Sequence, residues 1–125
     1  MSQPSSASVL LVEDDPWLAD IQVRVLEKEG FSVRRVAHAA AAMTAIDEAA
    51  PDILIVDMLL AGTTALALLH ELQSHPDTAP IPVIACTNIA DSLDADRLQH
   101  YGIRRIVDKA TMRPTDLVAA VRSVL

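Results

Sequence analysis

Aromatic side chains are nearly absent: Trp17, Phe31 and Tyr101 make up 2% of the 125 residues. A core without rings has to be assembled from Leu, Ile, Val and Ala, which suits helices packed on strands better than a β sandwich. Cysteine is reduced to Cys86, so an internal disulfide and a thiolate metal site are both excluded, and a reducing cytoplasm is the expected compartment. Basic residues are also short, 10 Lys and Arg against 17 Asp and Glu, for a formal net charge of -7. Direct nucleic-acid binding needs a clustered basic face, so a cation or a basic protein is the partner to expect instead. No apolar run approaches the ~18 residues of a membrane span. The start also lacks a basic region followed by a long apolar one, so neither a membrane anchor nor secretion is expected.

What is present is an alternation of strand and helix signals over one domain's length. Residues 1–7, Ser-rich with Pro4, read as a flexible polar tail, and residues 8–125 as the domain. Ser8 to Val12 is a first strand, ending at Glu13-Asp14-Asp15-Pro16, where Asp15 can cap a helix and Pro16 suits its first turn. Leu18, Ile21, Val25 and Leu26 recur at helical spacing, so they are expected to face inward, and Gly30 is a plausible left-handed stop. Phe31 to Val36 gives a second strand, and His38 to Ala49 a second helix with Met43 and Ile46 inward.

Ile53 to Val56 is continuously apolar, as a strand buried on both faces is, and stops abruptly at Asp57. A loop through Leu60, Ala61 and Gly62 leads to a helix near Thr64 to Ser74, with Leu66, Leu69 and Leu72 toward the sheet. His75 to Pro82 contains Pro76, Pro80 and Pro82 and cannot be regular. Val83 to Cys86 is a fourth strand ending at Thr87. A helix follows from about Asp91 to Tyr101, with Leu93 and Leu98 inward and Gly102 as its stop. Ile103 to Val107 is the fifth strand, interrupted by Arg104 and Arg105 and followed by Asp108-Lys109; Pro114 opens a last helix with Leu117, Val121 and Val124 on one face.

Five strands alternating with five helices, joined by right-handed crossovers, make a parallel sheet covered on both sides. The carboxyl ends of such strands are where ligands bind. Glu13 and Asp14, Asp57, Thr87 and Lys109 all fall there, and that convergence is stronger than any one of them. Two carboxylates ~4 Å apart repel by about 4 kcal/mol at an effective dielectric of about 20, so the cluster calls for a cation. With oxygen ligands only, and no His or Cys at metal spacing, a hard ion such as Mg²⁺ (or Mn²⁺) is favoured.

Leu-Leu-Val-Glu13-Asp14-Asp15-Pro, Pro-Asp-Ile-Leu-Ile-Val-Asp57, Pro82-Val-Ile-Ala-Cys-Thr87 and Lys109 stand in the order and at the intervals of one known family. The chain from Ser8 to Leu125 resembles the receiver domains of two-component response regulators, the CheY-like phosphoacceptors. The resemblance implies a flavodoxin-like (CheY-like) doubly wound sheet of order 2-1-3-4-5. It also implies that Asp57 is the phosphoacceptor, that Asp14 and Asp57 bind the metal directly with the backbone carbonyl of Leu59, and that Glu13 acts through water. Thr87 and Lys109 would contact the phosphoryl group, with Asn88 beside them and Ile106 at the switch position. The implied partners are a histidine kinase or His-containing phosphotransfer protein and a downstream protein at the face of helix four, strand five and helix five. The molecule would be a monomer or a phosphorylation-dependent dimer, either free-standing or part of a longer protein.

Departures from the family pattern lie around these residues. Ala61 and Ala65 replace a usual proline and glycine, and Ala110 follows Lys109 where a proline, often cis, is usual. Ile106 replaces a switch aromatic, and a β-branched side chain cannot swing as a ring does. Leu59 and Ile89 flank the expected path of the hydrolytic water, and neither can assist it, which implies slow dephosphorylation. Ala61, Ala65, Ile106 and Ala110 support an alternative, a receiver-like interaction module working without phosphorylation; the intact Glu13, Asp14, Asp57, Thr87 and Lys109 oppose it. An enzyme is not expected. A dehalogenase-type phosphatase needs a second Asp where Leu59 stands, and a flavodoxin phosphate loop would not carry three acids.

Cys86 reads as a small buried filler and Trp17 as a rim or surface aromatic. His38, His70, His75 and His100 are scattered without ligand spacing and read as solvated.

Overall fold

Val9 to Val12 sends alternate side chains to opposite sides of a strand, and both sides are buried, so covering layers are needed above and below. The computed structural model, which describes residues 7–60, 63–88 and 95–125, supplies them. The elements run β1 (Ser8–Val12), α1 (Pro16–Lys28), β2 (Ser32–Val36), α2 (Ala39–Glu48), β3 (Ile53–Val56), β4 (Leu59–Leu60), β5 (Thr63–Thr64), α3 (Leu66–Gln73), β6 (Val83–Thr87), α4 (Ala95–Gln99), β7 (Ile103–Asp108) and α5 (Pro114–Ser123).

The main sheet has order β2-β1-β3-β6-β7, all parallel. With β6 and β7 taken as the fourth and fifth long strands, this is the expected 2-1-3-4-5 winding. Leu10, Val12, Leu54, Val56, Val83 and Ala85 point to one side and pack with α2, α3 and α4. Val9, Leu11, Ile53, Ile55, Ile84 and Cys86 point to the other and pack with α1 and α5. Fully burying each large aliphatic contributes about 1.5–3 kcal/mol, so the two clusters fix the strand register: a one-residue slip would exchange their contents.

Helix ends follow local chemistry. The Asp15 side chain accepts hydrogen bonds from the backbone N–H groups of Trp17 and Leu18, at 3.0 and 3.2 Å, and starts α1. Gly30, at φ 94°, and Gly102, at φ 81°, take the left-handed conformation after α1 and α4. At Gly102 a Cβ would meet Gln73 Nε2 at 2.8 Å, the movable end of a long side chain, so it is the dihedral that calls for glycine.

Several expectations shift. The residues α1 buries are Ala19, Gln22 and Leu26, while Ile21 is 36% exposed, because the stripe rotates so that Leu18, Ile21 and Val25 line a groove beside α5. In α3 the buried face is Leu68, Leu69 and Leu72, with Leu66 only partly covered. The expected loop after Asp57 contains a short antiparallel hairpin, β4 against β5, pairing Leu59 with Thr64 and Leu60 with Thr63; Ala61 and Gly62 lie outside the described residues. The interruption in the fifth strand is a register shift, since Val83 pairs with Ile103 but Ile84 with Arg105, which leaves Arg104 as the extra residue. His38 accepts a hydrogen bond from Ala41 N–H at 3.2 Å and caps α2, a role its sequence position did not signal. Residues 89–94, including Leu93 and the expected start of the fourth helix, lie outside the described residues.

Cys86 is 2% exposed, and burial pushes its thiol from the ordinary 9.0 up to about 12. Such a rise leaves about a thousandfold less thiolate at neutral pH than a free cysteine has. Folded protein is therefore expected to resist iodoacetamide and to be alkylated fully once unfolded in urea. Equal alkylation rates in the two states, read by intact mass, would contradict the buried assignment.

Candidate functional site

Parallel strands that end together leave one row of backbone N–H groups for the residues just beyond, and here those hydrogen bonds tie the rim. Glu13 N–H donates to Val36 O, Asp57 N–H to Val12 O and Lys109 N–H to Thr87 O, each at 3.1 Å. Glu13, Asp57 and Lys109 are thus each hooked to the neighbouring strand before the chain turns away. A side chain attached one bond from a sheet ladder has little freedom to wander.

The side chains converge. Carboxylate oxygens of Glu13, Asp14 and Asp57 lie within 4.8 Å of one another. The ammonium of Lys109 bridges two of them, with Nζ 2.7 Å from Glu13 Oε1 and 2.9 Å from Asp57 Oδ2. Glu13 is 2% exposed and Asp57 7%, so their attraction to the ammonium is not spread through bulk water. Thr87 is fully buried at the end of β6, beside the same rim.

Burial raises the Glu13 carboxyl above its ordinary value, and the Asp57 charge adds to this; the hydrogen bonds from Lys109 and from Asp15 N–H oppose it without winning. For Lys109 burial works against the charged form, but hydrogen bonds and charge from both Glu13 and Asp57 outweigh it, and the ammonium is held above its ordinary value. The two directions agree physically. One cation is shared by two acids, so it gains from both while each acid gains only a share.

The donor set suits a hard divalent cation: three carboxylates from two strand ends, with no imidazole or thiolate among them. Lys109 offsets part of the charge but not all of it, since three carboxylates face one ammonium. A separate pocket of about 490 Å³ lies at the far end of α2 and α3 near His75 and Glu71, away from these residues.

The remaining expected residues fall as follows. Asn88 is exposed directly after Thr87, Ile106 is half-buried on β7 against the α2–α3 side of the core, and Leu59 sits in β4 two positions past Asp57. Ile89 lies outside the described residues. Lys109 and Ala110 are joined by a trans peptide, as all described residues are. Trp17 is 75% exposed on the first turn of α1. One contact at the rim was not anticipated: the Arg35 guanidinium donates to the Glu13 backbone carbonyl from Nε at 3.1 Å and from its terminal nitrogen at 2.8 Å. The only sequence signal for it was a pair of arginines in a strand of a chain short of base.

A family model for the response regulator receiver domain matches residues 9–122. The DNA-binding response regulator MtrA of Mycolicibacterium smegmatis is 31% identical over 117 residues, covering 94% of this chain and 50% of that protein. The sensory transduction protein RegX3 of Mycobacterium tuberculosis is 32% identical over 121 residues, again covering 94% and 50%. The chain therefore spans about half the length of the curated relatives it matches. Among solved structures, the signal receiver domain of a signal transduction histidine kinase from Syntrophus aciditrophicus superposes with a TM-score of 0.81 at 26% identity, covering 96% of this chain and 90% of that one. A match that begins in β1 and ends in α5 takes in every element that carries the acid rim, and the chain belongs to the family of response regulator receiver domains.

Proposed function

We propose that this receiver is a phosphorylation-operated switch with Asp57 as its phosphoacceptor, residues 8–125 forming the working unit. The observation that carries the reading is the Lys109 ammonium placed within 2.9 Å of Asp57 in a rim that also holds Glu13 and Asp14. An Asp57 oxygen attacks phosphorus in line; the new O–P bond forms as the P–N bond of a phosphohistidine, or the P–O bond of a small phosphodonor, breaks. The leaving imidazole takes its electron pair and then a proton from water.

Lys109 moves its charge from carboxylate to phosphoryl oxygens as the negative charge relocates, and the Thr87 hydroxyl donates a hydrogen bond to one of them. Asn88, next in sequence to Thr87, adds a further donor. Asp14, Asp57 and the Leu59 carbonyl would hold Mg²⁺ (or Mn²⁺), with Glu13 contributing through water. When bound, that ion offsets the repulsion between the transferring phosphoryl group and the carboxylates.

The donor is a histidine kinase or His-containing phosphotransfer protein. The output is a change in the face formed by α4, β7 and α5, read by a downstream protein or a second receiver in a phosphorylation-dependent dimer. This domain itself, with its net charge of -7, does not bind nucleic acid directly; DNA binding is named only for the MtrA relative, of which the chain spans half. No helix among the described residues is long and apolar enough to cross a membrane, which accords with a cytoplasmic role. Ile106 packs against the core, so the switch works through backbone displacement of β7 rather than a swinging ring.

Acetyl phosphate with Mg²⁺ is expected to add one phosphoryl mass to the wild type and none to Asp57→Asn, and to add none to either without the metal. Labelling of Asp57→Asn to the wild-type level would remove Asp57 from the reaction. Once formed, the phosphorylated wild type should decay slowly. Leu59→Asn and Ile89→Glu should each decay about tenfold faster, well under the full contribution of a positioned proton acceptor. Equal or slower decay in both variants would refute the water-path argument.

Removing the bridging cation should also cost stability. Lys109→Met is expected to lower the unfolding free energy by about 3 kcal/mol near pH 8 without metal, because one partner of a buried ion pair is lost. The Lys109 contribution is fully present below the ordinary ammonium value of 10.5 and is lost only as the pH rises through the raised folded value. Lys109 in the wild type is therefore fully charged at both about pH 8 and about pH 5, and its own titration does not change the gap between them. Glu13, whose carboxyl is already raised, rises further without Lys109 and takes a proton as the pH falls. The gap between variant and wild type should therefore narrow toward about pH 5 in urea unfolding. A gap independent of pH would place the ammonium elsewhere in solution.

A further inference from the structure

Reading the acid rim as a cation site leaves open what aims its first two ligands. Glu13 and Asp14 are consecutive, so their Cα atoms are the two ends of one planar peptide unit whose oxygen is Glu13 O. The orientation of that plane decides where both carboxylates project. Beyond Val12, however, β1 leaves the sheet, and after the Glu13 N–H bond to Val36 O there is no further described β1–β2 ladder pair to hold the plane.

The missing constraint is supplied by a side chain. Arg35, on the adjacent edge strand β2, donates two hydrogen bonds to the single oxygen Glu13 O, at 3.1 and 2.8 Å. A guanidinium is a rigid planar fork, so two donors converging on one acceptor restrict direction as well as distance. Glu13 N–H, in the preceding peptide, is fixed to Val36 O and anchors the Glu13 Cα, while the Arg35 fork on Glu13 O opposes rotation of the Glu13–Asp14 plane itself. The Glu13 carboxylate is then held by Asp15 N–H, which donates to Oε2 at 3.2 Å, and by Lys109 on Oε1.

We infer that Arg35 is a positioning residue for the cation site: it orients the Glu13–Asp14 peptide plane through the Glu13 carbonyl and thereby sets metal affinity, without touching the metal or the phosphoryl group. This rests on the reading of the rim as a Mg²⁺ site. Its neighbour Arg34 provides an internal control. Arg34 lies on the same strand and carries the same charge, but pairs with Glu48 on α2. Loss of either arginine changes the net charge equally, so a difference between them isolates the hydrogen bonds from the long-range field.

The experiment uses the full chain and compares wild type, Arg35→Met, Arg35→Lys and Arg34→Met. Mg²⁺ binding is measured by calorimetry, and the Mg²⁺ dependence of Asp57 labelling by acetyl phosphate is measured by intact mass. Arg35→Met is expected to weaken Mg²⁺ binding and raise the half-saturating Mg²⁺ concentration about tenfold, the scale seen when a group behind a metal ligand is removed. The labelling rate at saturating Mg²⁺ should change much less, because the plane can still be drawn into place by excess metal. Arg35→Lys should recover part of the loss through one remaining donor, and Arg34→Met should stay within about twofold of wild type.

Urea unfolding without metal separates this from a folding defect: a merely structural role would lower stability and the saturated rate together while leaving the half-saturation point in place. Unchanged Mg²⁺ affinity in Arg35→Met, or an equal loss in Arg34→Met, would overturn the positioning role. Mg²⁺ binding would then still stand in the wild type, leaving the reading of the rim intact. A wild type that binds no Mg²⁺ would overturn that reading and this inference with it.

Discussion

The Lys109 ammonium lies between two buried carboxylates, and the geometry of the rim depends on that arrangement. Three acids within 4.8 Å of one another would repel strongly at low dielectric. A cation from the protein reduces that repulsion enough for the cluster to persist in the folded chain, but a single ammonium cannot neutralise three carboxylates. The site is consequently stable yet still attractive to further positive charge, the condition a metal-dependent phosphoacceptor requires.

The acids can be held so close because the sheet beneath them is rigid. Alternate residues of β1, β3 and β6 enter two separate cores, one under α2, α3 and α4 and one under α1 and α5. Any shift of a strand would disturb both layers together, so the strand ends keep their relative heights and their backbone N–H groups keep their partners. The hairpin of β4 and β5 occupies the path after Asp57, and its two-residue strands make it a local feature of the rim and no part of the main sheet.

Both edge strands carry adjacent arginines, Arg34 and Arg35 on β2 and Arg104 and Arg105 on β7. Charges on edges discourage pairing with another sheet. On β2 the two have diverged in use: one pairs with Glu48 and the other turns toward the rim. On β7 the register shift leaves Arg104 without a ladder partner, a break in the strand whose far end supplies Lys109. That combination places an irregular edge next to a buried, charge-bearing tip.

By itself the sequence determined the strand and helix order, the parallel winding, and the identities of Glu13, Asp14, Asp57, Thr87 and Lys109 as rim residues. Apolar runs ending in acids, capping Asp15 and the stops at Gly30 and Gly102 are local signals with local causes, and they are readable without a fold. Tertiary structure alone decided which face α1 buries, because that depends on how α5 lies against it; the hairpin path, because Ala61 and Ala65 carry no turn signature; and which acids share the ammonium. It also decided the grip of Arg35 on Glu13 O. Periodicity describes an element's own faces, whereas a side chain reaching across to another strand's carbonyl is set by register and the packing beneath it, which no single stretch of chain contains.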